Sequence, residues 1–212
     1  MPVFQLNEQI IFPPVQLSES DGLLAVGGDL SVERLLLAYH SGIFPWYDEA
    51  PILWWSPDPR FVLFPADLKV SASMKQLLRK NRFRITFNED FAGVIARCSR
   101  IPRAGQAGTW ITPEMQEAYI RLHKAGYALS AECWEDDRLV GGLYGVKTGA
   151  FFFGESMFSD VSNASKAAFI TFVQTYGDEL TMIDCQVHTD HLASLGAGFI
   201  TREEFLQLLD FS

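Results

Sequence analysis

Two stretches of this 212-residue chain put a carboxylate where apolar side chains should close over it. Glu155 follows the run Phe151-Phe152-Phe153-Gly154, and a buried carboxylate is costly unless it is paired, hydrogen-bonded or put to use. Asp184 lies in Met182-Ile183-Asp184-Cys185-Gln186-Val187. Strand alternation predicts Asp184 and Gln186 on one face and Ile183 and Cys185 on the other. Two strands flanking one helix, each with a carboxylate among apolar residues, read as two walls of a reaction centre that could hold a cation or move a proton. The competing reading for Asp184 is a structural carboxylate that accepts from backbone amides. His188 and His191 offer only two metal ligands with no acidic third at a useful spacing, so no metal site is expected. Cys185 points to the opposite strand face with no histidine placed to activate it, which argues against a thiol nucleophile.

The elements that must position these residues can be read around them. A strand from Ala150 to Phe153 presents Gly154 and Glu155 and ends in a polar turn. Ser162 or Asn163 then caps a helix over about 164–177. Upstream, Thr112-Pro113-Glu114 starts a long helix that Gly126 closes. Strands over 127–134, 138–147 and 150–153 form a meander. Ser31 caps a helix over 32–41, Ser71 one over 72–80, and Glu89 or Asp90 starts another. Residues 1–21 read as extended and irregular. Five aromatics among Pro and Gly in Gly42-Ile-Phe-Pro-Trp46-Tyr47 and Trp54-Trp55-Ser-Pro-Asp-Pro-Arg60 suggest a rigid surface loop. There Trp54 and Trp55 pack domains together and Trp46 faces a ligand. Pro57 and Pro59 mark a boundary, giving a small N-terminal domain over 1–60 and a larger one over 61–212.

Bulk composition narrows the classes. A chain that is 48% hydrophobic and 13% aromatic can bury a large core. Cys98, Cys133 and Cys185 include no CxxC pair, so neither a zinc site nor a disulfide framework is expected, and a reducing cytoplasm suits them. The N-terminus lacks a signal-peptide pattern, and no apolar run approaches the roughly 20 residues of a membrane span. A net charge of −9 argues against nucleic acid until its distribution is considered. Residues 69–103 carry nine basic side chains, among them Lys75, Arg79, Lys80, Arg82 and Arg84, against Glu89 and Asp90 alone. A basic segment on an acidic body can hold a polyanion locally; a solvated helix face explains it equally well.

A long helix, a three-stranded antiparallel meander, a helix and a further strand resembles the order of GNAT acyltransferases. The fold expected is α+β: a small N-terminal α/β domain, then a GNAT-like domain with a mixed, largely antiparallel sheet flanked by helices. A coenzyme A site would need a Q/R-x-x-G-x-G/A turn between strand and helix. The nearest match, Arg138-Leu-Val-Gly141-Gly-Leu143, ends in the wrong residue and sits inside a strand.

Longer motifs are more specific. Gly22-Leu-Leu-Ala-Val-Gly-Gly-Asp-Leu-Ser, Gly42-Ile-Phe-Pro-Trp, Ile52-Leu-Trp-Trp-Ser-Pro-Asp-Pro-Arg, Gly108-Thr-Trp-Ile, Leu139-Val-Gly-Gly-Leu-Tyr-Gly-Val, Gly154-Glu-Ser-Met-Phe-Ser, Asn163-Ala-Ser-Lys and Ile183-Asp-Cys-Gln run almost from end to end. With them the chain resembles the bacterial leucyl/phenylalanyl-tRNA–protein transferase family. The departures are Tyr127-Ala-Leu129-Ser130, where the family carries two histidines before the serine, Tyr176 in place of Phe, and an end at Ser212 without the C-terminal extension of some members. The resemblance implies transfer of Leu or Phe, with Met a further donor, from aminoacyl-tRNA to proteins beginning with Lys or Arg, which marks them for N-end rule degradation. It implies a cytoplasmic monomer with no metal, cofactor or membrane. It also implies that Asp184 and Gln186 are catalytic, with Glu155 holding the acceptor's positive charge. Trp46 and Trp110 would hold the terminal adenine, with Phe172 and Tyr176 walling the same site. Leu143 and Phe152 are expected at the aminoacyl side-chain pocket, and Lys75, Arg79, Lys80, Arg82 and Arg84 against tRNA. Two other classes compete: an acyltransferase using a thioester, and a non-catalytic tRNA-binding module.

Overall fold

The computed structural model describes residues 3–101 and 110–210. The chain builds two sheets. The first contains β1 (Phe4–Leu6), β2 (Leu23–Gly27), β3 (Phe44–Pro45) and β4 (Leu53–Trp55) in the order β1-β2-β4-β3, with α1 (Val32–His40) between β2 and β3. Ser31 caps α1 by accepting from the Arg34 amide. The N-terminal segment is more regular than its sequence suggests, because β1 pairs in parallel with β2. The expected aromatic loop is instead two paired strands. Trp54 is fully buried and donates its indole N–H to the Gly27 carbonyl at 2.8 Å. Burying that ring outweighs the local Pro and Gly signals.

The second sheet has seven strands. After β5 (Arg60–Leu63) come α2 (Ala72–Arg79), β6 (Arg84–Phe87), α3 (Phe91–Cys98), α4 (Pro113–Lys124), β7 (Ala128–Glu135), β8 (Arg138–Thr148), β9 (Phe151–Ser159) and α5 (Ala164–Tyr176). The chain ends with β10 (Met182–Gln186), α6 (Asp190–Ala193), β11 (Gly198–Ile200) and α7 (Arg202–Asp210). The order is β11-β5-β10-β9-β8-β7-β6, antiparallel throughout except for β10 on β9. This is the mixed, largely antiparallel α+β arrangement expected. Alternation along β9 sorts the two cores: Phe151 and Phe153 join the cluster with α1, α3 and α4, while Phe152 joins the cluster with α5.

One local expectation fails. The strand through Phe153 does not stop at Glu155 but runs on to Ser159, paired with β8 down to Gly141↔Ser159. Asn163 does stand at the N-cap of α5, as expected, but the first-turn amide of Ser165 finds its acceptor in the hydroxyl of Ser159, at the end of the extended strand, at 3.2 Å. Asn163 takes a left-handed φ of 69° and makes no side-chain cap.

Parallel pairing of β10 with β9 ends at Asp184↔Phe153. Beyond it β10 bulges, with Gln186 at φ 62°, while β9 continues along β8 alone. The two strands therefore part where the polar residues begin. The close approach at this point is set by Gly145, opposite Gly154, where a Cβ would stand 2.2 Å from the Phe153 carbonyl and 2.5 Å from the Phe152 ring. Overpacking of this kind costs about 1–3 kcal/mol. Gly145→Ala should lower the thermal midpoint by several degrees, which a melting curve beside the wild type checks.

Candidate active site

The gap between β9 and β10 opens two cavities. One, of about 740 Å³, is walled by Leu143 and Phe152 from the sheet, Phe169 from α5, and Ile183 and Cys185 from β10. Its rim is polar, with Arg97, Arg100 and Asp160. The other, of about 80 Å³, lies among Phe44, Pro45, Trp46 and Trp110. Glu155, Gln186 and Val187 line both, so these three form the seam where the cavities meet.

Glu155 is only 7% exposed and is held from three elements. Its Oε1 accepts from Tyr39 of α1 and from Gln186 Nε2, and its Oε2 accepts from Tyr119 of α4, all at 2.8 Å. Burial pushes the carboxyl up to about 7, although the three donors pull it down; Asp184 adds a smaller upward push. A group that titrates near neutrality can both take and give a proton at working pH.

Asp184 has a different environment. It lines neither cavity. Its Oδ1 accepts from Arg60 Nε at 2.9 Å and from the Gln186 amide at 2.8 Å, and its Oδ2 accepts from Arg60 Nη2 at 2.6 Å. Both members of the ion pair are 1% exposed. The expected shared face for Asp184 and Gln186 is lost at the bulge: Asp184 turns to Arg60, while Gln186 turns to Glu155. The reading of Asp184 as a carboxylate bonded to a backbone amide, left open by the sequence, describes the contact it makes.

Residues 62–210 match the family described as Leucyl/phenylalanyl-tRNA protein transferase, and residues 28–58 match its N-terminal domain. The chain belongs to this family. A transferase of that name from Syntrophobacter fumaroxidans is 59% identical over 99% of the chain and 90% of the relative, and one from Christiangramia forsetii is 54% identical over 98% and 100%. Among solved structures, a GCN5-related N-acetyltransferase-like protein from Streptococcus suis aligns with a TM-score of 0.40 at 13% identity, covering 75% of this chain and 59% of that one. As a family member the protein is an aminoacyltransferase.

The other expected residues divide. Leu143 and Phe152 line the large cavity and Trp46 and Trp110 the small one. Trp46 is fixed by its neighbours: its carbonyl accepts from the Trp55 indole at 2.7 Å, with the rings 5.9 Å apart. Phe172 and Tyr176 line neither cavity. Phe172 packs behind Phe152 at 4.4 Å, and both it and Tyr176 pack on Phe87. In the basic segment Lys75, Arg79 and Lys80 are exposed and form no ion pair among the described residues. Arg82 and Arg84 are tied to Glu135 and Glu89 at 2.7 and 3.3 Å. The sequence reading missed Arg60, Tyr39 and Tyr119. The last two follow apolar helical spacing and look like core; Arg60 opens an apolar strand, and that misplaced charge was the signal available.

Removing one partner of a buried ion pair typically costs about 3–5 kcal/mol. Asp184→Ala should destabilise by that order because Arg60 is left uncompensated, whereas Asp184→Asn, which keeps an acceptor for the Gln186 amide, should lose less. Denaturant unfolding of both variants checks the ranking, and equal losses would mean the amide contact contributes nothing.

Proposed function

We propose that the protein moves Leu or Phe from aminoacyl-tRNA to the α-amine of proteins beginning with Lys or Arg, in the cytoplasm and as a monomer, tagging them for degradation. On this reading residues 1–60 form a small domain that supplies one wall of the donor site. One observation carries the proposal: an apolar cavity and a tryptophan-lined slot meet at Glu155 and Gln186. An aminoacyl-adenosine has the same division, with an apolar side chain at one end, a purine at the other and the ester between them.

The aminoacyl side chain enters the large cavity against Leu143 and Phe152, with Phe172 and Tyr176 as its backing. The terminal adenine occupies the slot between Trp46 and Trp110, where stacking is sequence-tolerant and worth about 1–3 kcal/mol per base. The ester then lies at the seam. Gln186 orients the reacting groups there, Glu155 faces the amine, and Asp184 acts by fixing Gln186. Holding amine and carbonyl in this geometry supplies the proximity that aminolysis needs. The exposed face of α2, with Lys75, Arg79 and Lys80, takes acceptor-stem phosphates. Arg82 and Arg84 contribute less, because each already faces a carboxylate. Nothing in this scheme calls on a cofactor or a metal.

Labelled Phe-tRNA mixed with a peptide beginning with Arg tests the reaction. Peptide labelling without added coenzyme A is expected; a requirement for an acyl thioester, or a gel shift without labelling, would replace the proposal with one of its competitors. Trp46→Ala and Trp110→Ala should each raise KM for aminoacyl-tRNA by the 1–3 kcal/mol of a lost stack, and an unchanged KM in a folded variant would remove that role. Neutralising Lys75, Arg79 and Lys80 together should weaken tRNA binding and flatten its salt dependence, by about 0.7–0.9 in log–log slope per lost phosphate contact. A minimal aminoacyl-adenosine donor should react almost unchanged. Equal losses on both donors would make α2 a structural element.

A further inference from the structure

Tyr39, Tyr119 and Glu155 touch one another in a closed triangle. Tyr39 reaches Oε1 and Tyr119 reaches Oε2, each at 2.8 Å, and the two hydroxyls also contact each other. Each contact needs one hydrogen. Two phenols supply two, and a phenol has only one to give. With Glu155 ionised, three contacts share two hydrogens, so if both phenols donate to the carboxylate the hydroxyl–hydroxyl contact has none. With Glu155 protonated, three hydrogens fill three contacts and the ring closes. The triangle therefore has room for one added proton.

Its surroundings limit where that proton can come from. Tyr39 and Tyr119 are fully buried, and burial together with the Glu155 charge pushes both phenols well above their ordinary range, so they remain protonated. The groups facing Glu155 are Tyr39 from α1, Tyr119 from α4, and Gln186 and Asp184 from β10. Tyr144 from β8 meets the Tyr119 ring edge-on at 5.6 Å. Arg60 from β5 is spent on Asp184. Among these described groups no cation contacts Glu155, and its open side is the seam between the cavities.

We propose that Glu155, supported by Tyr39 and Tyr119, is the proton shuttle of the transfer reaction. The inference rests on the donor placement above. The attacking α-amine enters as its neutral fraction. Its nitrogen bonds to the ester carbonyl carbon and loses a proton to the Glu155 carboxylate, which closes the three-hydrogen ring. The bond from that carbon to the ribose oxygen then breaks, and Glu155 returns the proton to the leaving oxygen. Peptide bond and free hydroxyl result, and the carboxylate is restored. Tyr39 and Tyr119 touch no substrate and act through Glu155 as positioning residues.

The test is the pH profile of kcat with the minimal aminoacyl-adenosine donor and one fixed acceptor peptide. The wild type should show an acid limb near pH 7, where the carboxyl titrates. Replacing both tyrosines removes two donors that hold this carboxyl down, so in Tyr39→Phe/Tyr119→Phe it should rise by about one unit or more. At pH 7, where the wild-type carboxyl is half ionised, the double variant should then be roughly fivefold slower, the loss approaching tenfold at lower pH, and at pH 9 it should recover most of its rate. The acceptor amine is common to both enzymes, so a displaced limb belongs to the protein. Glu155→Gln should be slow at every pH. A double variant slowed equally at all pH values would make the triangle structural, and one matching the wild type throughout would remove it from the reaction. If the double variant does not fold, carbon-13 NMR of the labelled glutamate carboxyls in wild type and Glu155→Gln gives the answer without turnover: a resonance lost in the variant that titrates at an ordinary carboxylate pH overturns the proposal. Wild-type enzyme that transfers nothing to the peptide would instead overturn the donor placement itself.

Discussion

The site depends on where one guanidinium is buried. Arg60 lies between the rings of Phe44 and Phe205, 4.7 Å from each centroid, and donates to the Gly42 carbonyl at 3.3 Å. A charge in such surroundings is tolerable only when fully paired, and Asp184 provides the pair on two oxygens. The partners come from distant parts of the chain: Gly42 from the turn after α1, Phe44 from β3 of the first sheet, Phe205 from α7, and Asp184 from β10. Small displacements of any of them would weaken the pairing, so the ion pair fixes their mutual positions more than it adds stability. Trp46 is two residues beyond Phe44 and Gln186 two beyond Asp184. The slot and the seam are thus referred to the same buried charge.

Strand pairing explains why a seam exists at all. Parallel strands joined through a helix share hydrogen bonds only while both remain extended. Here β9 continues along β8 while β10 leaves the ladder at Asp184. The Gln186 amide, freed from regular pairing, is satisfied by Asp184 Oδ1 within its own turn. A left-handed φ at a non-glycine residue is uncommon and needs such support. The bulge turns the Gln186 amide group toward Glu155 instead of leaving it beside Asp184, and it leaves Ile183 and Cys185 to wall the cavity.

Much of this architecture was legible in the sequence, and the failures have physical causes. Caps at Ser31, Ser71, Asp90 and Thr112 are local chemistry and stand as expected, each accepting from an amide three residues on. Glu155 and Asp184 were visible because a carboxylate among apolar residues has few alternatives to pairing or function. Their division of labour was not visible, since the bulge that separates Gln186 from Asp184 depends on where β9 stops pairing. The continuation of β9 through Met157 and Phe158 was hidden by polar residues at 155, 156 and 159, which look like a turn locally; Ser156 and Ser159 nonetheless pair with β8 across the sheet, and Glu155 falls at the irregularity between the paired residues. Tyr39 and Tyr119 could not be distinguished from core, because a phenol on an apolar helix face shows no sign of what its hydroxyl will meet.

That last blind spot bears on what the first part of the chain is for. If α1 served only to cover the sheet, a phenylalanine at position 39 would fill the same volume without a hydroxyl needing a partner in the core. Instead the Tyr39 hydroxyl crosses to Glu155, so the first sheet's helix contributes to the ionisation of a residue on the second. Burial alone would hold Glu155 protonated at working pH, and the donors alone would hold it ionised. A value near 7 comes from the opposition of the two, and each side is supplied by a different part of the fold. Tyr39 comes from α1, Tyr119 from α4 and Gln186 from the β10 bulge that Arg60 secures through Asp184. The titration of one carboxyl therefore depends on all these elements being in place.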